Sequence, residues 1–417
     1  MQKNPVLVIV GGGASGLISG IFAKNIVKDK ARVVILERMD RIGKKILATG
    51  NGRCNFTNIS TSECNFYGKN PKFVSSAFEK FNVFDTLNFF EKLGIYPKEE
   101  ENGKMYPYSN QASSILDVLR SEIERLKIEV ITKFEVKEVK PQKNNFKIIS
   151  FSGDVINADK VIIATGGCAS PNLGSNGTGF KILESLGHNI TKLTPALVQM
   201  KTDKKVVSSL QGIKFVGNVK IFVKNKFFKE EFGEVLFTDY GLSGPPIFQL
   251  SSVSALHKDC FVELDFMPDL SEKDVFDLIV NRKKDLNHLT MENFFTGLLN
   301  KRIGNVIAKK SGIEKLSFKV NDLTKEIMWE MARNIKSLKI EVLGQNGWNN
   351  AQVTAGGAIT DEFNKETMES RKIEGLYATG EVLDIFGDCG GFNLQWAWSS
   401  GVVAGESSAK SILGNRG

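Results

Sequence analysis

Six residues near the start of the chain constrain its fold more than any other feature. Gly11-Gly-Gly13-Ala-Ser-Gly16 follows directly on the apolar run Pro5-Val-Leu-Val-Ile-Val10. A short β-branched run with no polar alternation reads as a strand buried on both faces. After the glycines, Leu17, Ile18, Ile21, Phe22 and Val27 recur at helical spacing, and residues 31–36 form a second buried strand ending at Glu37. A glycine triplet alone is a weak signal. Strand, glycine turn, helix and strand, with an acid about 20 residues beyond the last glycine, is the dinucleotide-binding unit. In that unit Gly11 permits the turn, Gly13 lets a pyrophosphate approach the backbone, and Gly16 lets helix and strand pack closely. Ala14 and Ser15 open a helix whose N-terminus carries positive potential toward the phosphates. Glu37 accepts both hydroxyls of a free ribose, which favours FAD or NAD over NADP at this site.

The far end of the chain chooses between those two. Ala378-Thr-Gly-Glu381 runs out of a strand, and Gly390-Gly-Phe-Asn-Leu-Gln395 opens a helix rich in Ala, Ser and Gly. An acid near a ribityl chain and backbone donors near a flavin pyrimidine edge are what FAD requires, and a helix N-terminus there would stabilise the anionic reduced ring. Ala164-Thr165-Gly166, after its own strand, supplies a middle contact.

Composition narrows the classes. Of 417 residues, 39 are glycine, about 9% against a usual 7% or so, and with only 10 prolines this points to tight turns. Asn4 to Ala23 is uncharged, yet its central glycines argue against a membrane span or signal segment. Five scattered cysteines (Cys54, Cys64, Cys168, Cys260, Cys389) and three histidines show neither a disulfide framework nor metal spacing, so no metal is expected and a reducing cytoplasm fits best. The net charge of +8 invites a nucleic-acid or membrane reading. Basic runs such as Lys309-Lys310 are interleaved with acids, however, so neither partner is expected.

The two glycine-turn regions share one logic, which implies a single discontinuous α/β domain of Rossmann type over 1–190 and 353–417. Short strands over 191–267 and 318–352 imply an inserted β-barrel-like domain. Helical spacing over 268–317 implies a small helical domain.

The segments GGGASGL, GKKILATGNGRCNFTN, ATGGCASPNLGSNGTGF, LFTDYGLSGPPIFQLS and AGGAITDEF…GLYATGEVLDIFGDCGGFNLQWAWSSGVVAG resemble those of the BaiN-like, aminoacetone-oxidase-like family of bacterial flavoproteins, across nearly the whole chain. The resemblance implies bound FAD, with Ala14, Glu37 and Arg38 at the adenosine half. Gly43, Lys45 and the loop Gly50-Asn51-Gly52-Arg53-Cys54-Asn55 would run along the cofactor, with Thr165 and Gly166 close by. Gly380, Glu381, Gly391, Asn393, Leu394 and Gln395 would hold ribityl and flavin. It also implies an FAD-dependent oxidoreductase transferring hydride to or from a small organic substrate, as an NAD(P)H-linked reductase in the leading reading. An oxidase of small amines or aminoketones is the runner-up, and an RNA-modifying flavoprotein a third alternative. No second glycine turn of this kind follows another strand, so NAD(P)H would visit the flavin transiently.

No catalytic acid or base stands out. Cys54 is a candidate for thiol exchange with Cys389, against the commoner fate of a buried small apolar residue. Tyr240, in FTDYGLSGPP, is a candidate proton donor. Arg53 reads equally as a phosphate or carboxylate partner and as half of a structural ion pair. The histidines read as structural.

Overall fold

The structure, a computed structural model, describes residues 4–414. Val6–Val10 (β1) is buried throughout, as a central strand with parallel neighbours on both sides and both faces covered must be. Ala14–Val27 (α1) follows the glycine turn. With Arg32–Leu36 (β2), Glu129–Ile131 (β3), Lys160–Ile163 (β4) and Leu376–Ala378 (β5), β1 forms a sheet in the order β5-β4-β1-β2-β3. All four pairings are parallel. The chain winds one way from β1 through β2 to β3 and the other way through β4. The resulting switch point lies at the carboxyl ends of β1 and β4, where Gly11 and Ala164 sit and where such sheets bind ligands.

This sheet cannot be completed by the first half of the chain. β5 comes from the C-terminal segment, and so does Phe392–Gly414 (α2), the helix packed most extensively on α1. The two helices approach at backbone distance because small residues face each other. A Cβ on Gly401 would fall 2.7 Å from the Ser15 carbonyl oxygen, and one on Gly405 would fall 2.4 Å from that of Ser19. The Ser19 hydroxyl lies 2.7 Å from the Ser15 carbonyl oxygen and 2.9 Å from that of Gly401, stitching the helices together. The Ala/Ser/Gly richness of this helix is therefore a packing requirement.

The chain divides into two compact units, one running to Pro195 and resuming at Ala351, the other spanning Ala196–Asn350. The second unit is a closed six-stranded antiparallel barrel, in the order Met200–Thr202, Gly241–Ser243, Lys226–Phe237, Lys214–Val223, Cys260–Asp265, Leu338–Gln345. Helices Glu272–Asp285, Lys301–Lys310 and Lys325–Lys336 are inserted before its last strand. The Ser271 hydroxyl accepts from the Asp274 N–H at the start of the first, and the Asn300 side chain accepts from the Arg302 N–H at the start of the second. Their apolar faces, including Phe276, Ile307 and Met331, share one core with Val219, Ile221 and Val262 of the barrel. That sharing makes barrel and helices one unit by contact, where the sequence reading set 268–317 apart.

The α1–α2 contact yields a direct test. Gly405→Leu places a side chain where the Ser19 carbonyl stands, and overpacking of this kind costs about 1–3 kcal/mol. Thermal unfolding of the variant should show a clearly lowered Tm, while Gly414→Leu, in open space, should not.

Candidate functional site

The glycine turn separates two kinds of glycine. Gly11 has φ +111°, and a Cβ on it would lie 2.4 Å from the Ala164 carbonyl oxygen; on Gly16 it would lie 1.9 Å from that of Gly11. These two allow β1, β4 and α1 to meet. Gly13 differs. Its backbone is extended, at φ −84° and ψ −169°, which any residue adopts, and a Cβ built on it meets nothing within 4 Å. The space beside Gly13 is open. No side chain caps α1, so its first N–H groups are left for an external acceptor.

Glu37 is buried beside that turn. One carboxylate oxygen accepts from the Gly12 N–H at 2.9 Å and the other from the Met39 N–H at 2.7 Å, which fixes the group and leaves lone pairs over. Arg38 donates to the Gly174 carbonyl at 3.1 Å and stands 3.5 Å from the Glu135 carboxylate. The Gly43 N–H donates to the Gly12 carbonyl at 2.8 Å, bringing the start of helix Lys44–Ala48 against the turn. From this helix Lys45 reaches Glu381 at 2.9 Å, and Glu381 also accepts from the Thr354 N–H at 2.8 Å. Gly380 donates through its N–H to the Ser400 hydroxyl and accepts from the Trp396 indole. The Gly380 backbone also lies against Ser15. Ser15, Lys45, Gly380 and Glu381, scattered in sequence, thus converge. Ala164, Thr165 and Gly166 follow β4 at the switch point.

The loop at 50–55 doubles back through left-handed residues at Gly50 and Asn51, with Asn51 and Gly52 exposed. Arg53 is committed: it contacts both Glu100 carboxylate oxygens at 2.9 and 3.0 Å, and its guanidinium lies 4.1 Å from the Tyr106 ring centroid. It is half of a structural ion pair. Cys54 is fully buried, and burial pushes its thiol up to about 12 against a smaller opposing effect of Thr49. It stays protonated at neutral pH, which removes the thiolate that exchange chemistry needs. Cys389 is exposed. Asn55 carries the most telling atom: its Oδ1 is buried and has no hydrogen-bond partner among the described residues. It lies 2.9 Å from where a Cβ on Gly391 would stand, so it flanks the turn into α2.

At that turn the predicted side chains are used by the protein itself. The Asn393 amide accepts from the Gly387 N–H and donates to the Gly387 and Asp388 carbonyls. Gln395 is fully buried, accepting from the Thr57 hydroxyl at 2.5 Å and donating to Ser399 at 2.9 Å. Leu394 packs against the core. What the start of α2 offers a ligand is main-chain N–H groups. Asn58, which donates to the Gly390 carbonyl, and Thr354 also shape the site; the first lies within a quoted motif, the second carries no local signal.

Tyr240 belongs to the barrel unit, in the turn between strands Lys226–Phe237 and Gly241–Ser243. His188 is structural: it stacks on Phe363 and contacts Glu362 and Ser370, each at 2.9 Å. Among the described residues no cluster of side chains is arranged to hold a metal ion, and no helix is long and apolar enough to cross a membrane.

Residues 5–407 match the pattern described as the HI0933-like protein Rossmann domain. The chain belongs to that family. It is 38% identical over 96% of its length, and 98% of the relative's, to the 3-dehydro-bile acid delta(4,6)-reductase of Clostridium scindens. It is 31% identical to the ribosomal RNA dihydrouridine synthase of Escherichia coli, covering 94% of this chain and 95% of that one. The protein of the same name from Haemophilus influenzae is 30% identical, over 96% and 97%. The BaiN-like resemblance is thereby borne out, and with it the class: the chain is an FAD-dependent oxidoreductase. The residues present fit that cofactor, with open space at Gly13, an uncapped helix start, a fixed carboxylate at Glu37 and an unused acceptor at Asn55.

Gly13 and Gly16 are expected to part company on substitution. Gly13→Val should fold, with the Tm of the wild-type apoprotein, and retain no FAD by absorbance. Gly16→Val should fail to fold. FAD content in Gly13→Val equal to wild type would remove the pyrophosphate from this position.

Proposed function

We propose that the chain uses FAD to saturate a carbon–carbon double bond conjugated to a carbonyl, with NADH or NADPH as donor. One observation carries this reading: the two activities named among its relatives are the same chemistry. A delta(4,6)-reductase of a 3-oxo steroid reduces an enone system, and a dihydrouridine synthase reduces uracil C5=C6, conjugated to the C4 carbonyl. In both, one carbon gains a hydride and its neighbour a proton. Hydride for the electron-poor carbon is the chemistry that FAD would supply when bound and reduced.

The chain's own residues hold and polarise. Main-chain N–H groups at Gly13, Ala14 and Ser15 would meet the pyrophosphate, and Glu37 the adenosine ribose. Lys45 with Glu381, Thr165 and Gly166 would line the middle of the cofactor. The N–H groups at Phe392, Asn393 and Leu394 would face the pyrimidine edge, where aligned donors stabilise negative charge. Asn55 adds an acceptor that no described residue uses. The Cys54 thiol packs in the loop.

A small organic enone, as for the bile-acid reductase, is the leading substrate class. Uracil in RNA is the second, favoured by the two dihydrouridine synthases and by the charge on the barrel unit described below. A reducing cytoplasm suits five cysteines, none of them in a disulfide.

Anaerobic stopped-flow spectroscopy tests the reaction. NADH or NADPH should bleach the flavin, and a conjugated enone should restore the oxidised spectrum without oxygen. No bleaching by either nucleotide, with rapid reduction by an aminoketone and reoxidation only by oxygen, would establish the oxidase direction.

A further inference from the structure

The barrel unit contains a cleft that the flavin chemistry does not use. It has a volume of ≈ 420 Å³ and is lined by Lys205, Arg302, Lys309 and Lys310, with Ser209 and Asn305 between them and Val206, Val306 and Leu316 as its apolar part. All four cations are exposed, and no carboxylate lines the cleft. Among the described residues none of the four is in an ion pair. Arg302 is held by main-chain acceptors alone, donating to the Ser209 and Gln211 carbonyls, so it is fixed in place with its charge uncompensated. The nearby Asp203 carboxylate accepts from the Lys205 N–H.

The sequence holds the same concentration. Residues 301–319 carry six Lys and Arg against one acid, Glu314, and folding adds Lys205 from the short helix Lys204–Val207. Like charges gathered without counter-charge repel one another, and an anion that replaces their diffuse counterions relieves the repulsion. Four cations exceed what one carboxylate needs. Four exposed cations are the charge complement of several phosphates. Large exposed apolar side chains, which a membrane surface would engage, lie elsewhere, as at Phe227 and Phe232.

We infer that this cleft binds the phosphodiester backbone of RNA. The inference draws its meaning from the uracil-reduction reading, but it is tested by equilibrium binding, so either can fail without the other.

The experiment uses the full FAD-loaded chain and a fluorescein-labelled single-stranded RNA of about 20 nucleotides, followed by anisotropy between about 50 and 200 mM salt. Four neutralised phosphates predict a log–log salt slope near −3 for a single strand. Lys205→Glu/Lys309→Glu/Lys310→Glu should bind at least about tenfold more weakly with a shallower slope, while keeping its FAD and its Tm. The corresponding triple arginine variant should bind like wild type. Absence of salt-dependent binding by wild type would overturn the inference, and so would equal binding by the glutamate variant. Full competition by millimolar inorganic phosphate would replace the RNA with a small anion. Co-sedimentation with phosphatidylglycerol vesicles in place of RNA binding would replace it with a membrane.

Discussion

The close contact between α1 and α2 is the constraint on which the rest of the structure depends. The Gly401 and Gly405 backbone rests on the Ser15 and Ser19 carbonyls, with the Ser19 hydroxyl between them. This contact joins two segments separated by most of the chain, and no larger residue at those glycines would let the helices approach so closely. It brings the start of α1, with its open space at Gly13, and the start of α2, with its unused acceptor at Asn55, into one domain. A long cofactor needs donors at both its ends, and the proposal draws them from the starts of two helices packed side by side, Ser15 of α1 meeting Gly401 of α2. The insertion of the barrel unit between β4 and β5 leaves that geometry intact because the contact is re-formed when the chain returns.

The roles assigned to motif residues divide along the same line. The first N–H groups of α1 carry no side-chain cap, whereas the N–H groups of Gly12, Gly43 and Gly380 and several polar side chains of the motifs are consumed in holding the turns in shape. Asn393 ties the 387–388 loop, Gln395 bridges Thr57 and Ser399, and Arg53 is neutralised by Glu100. A cofactor read mainly by main-chain donors tolerates no side chain at Gly13, yet is indifferent to the chemistry of many neighbours. Cys54 is fully buried in the same loop, and that burial pushes its thiol up to about 12.

Much of this was legible in the sequence because it rests on local rules. The unbroken apolar run at β1, the spacing of Gly11, Gly13 and Gly16, and the acid at Glu37 each have a physical reason that acts within one supersecondary unit. The strand-rich insert was legible too, although two of its strands, Lys214–Val223 and Lys226–Phe237, are long where short ones were expected. The helix Pro245–Leu256 falls where only short strands were expected, and it opens on two prolines, which suit the first turn of a helix. What local rules do not show is convergence. Lys45 with Glu381, Asn55 beside Gly391, and Lys205 joining Lys309 and Lys310 depend on chain folding over tens to hundreds of residues. Around Lys309 and Lys310, read as interleaved with acids, residues 301–319 already hold six cations against one acid, and folding adds Lys205.

The conclusion is an FAD-dependent oxidoreductase, with binding of the cofactor along the starts of α1 and α2 and the reduction of a conjugated double bond as proposals. The most direct measurement is the identity and stoichiometry of the cofactor released by heat from the purified, FAD-saturated protein, read by mass spectrometry. One FAD per chain is the predicted result. A protein that holds only FMN, or takes up no flavin at all, would contradict the account, because the glycine turn at α1 and Glu37 would then have no adenosine diphosphate to bind.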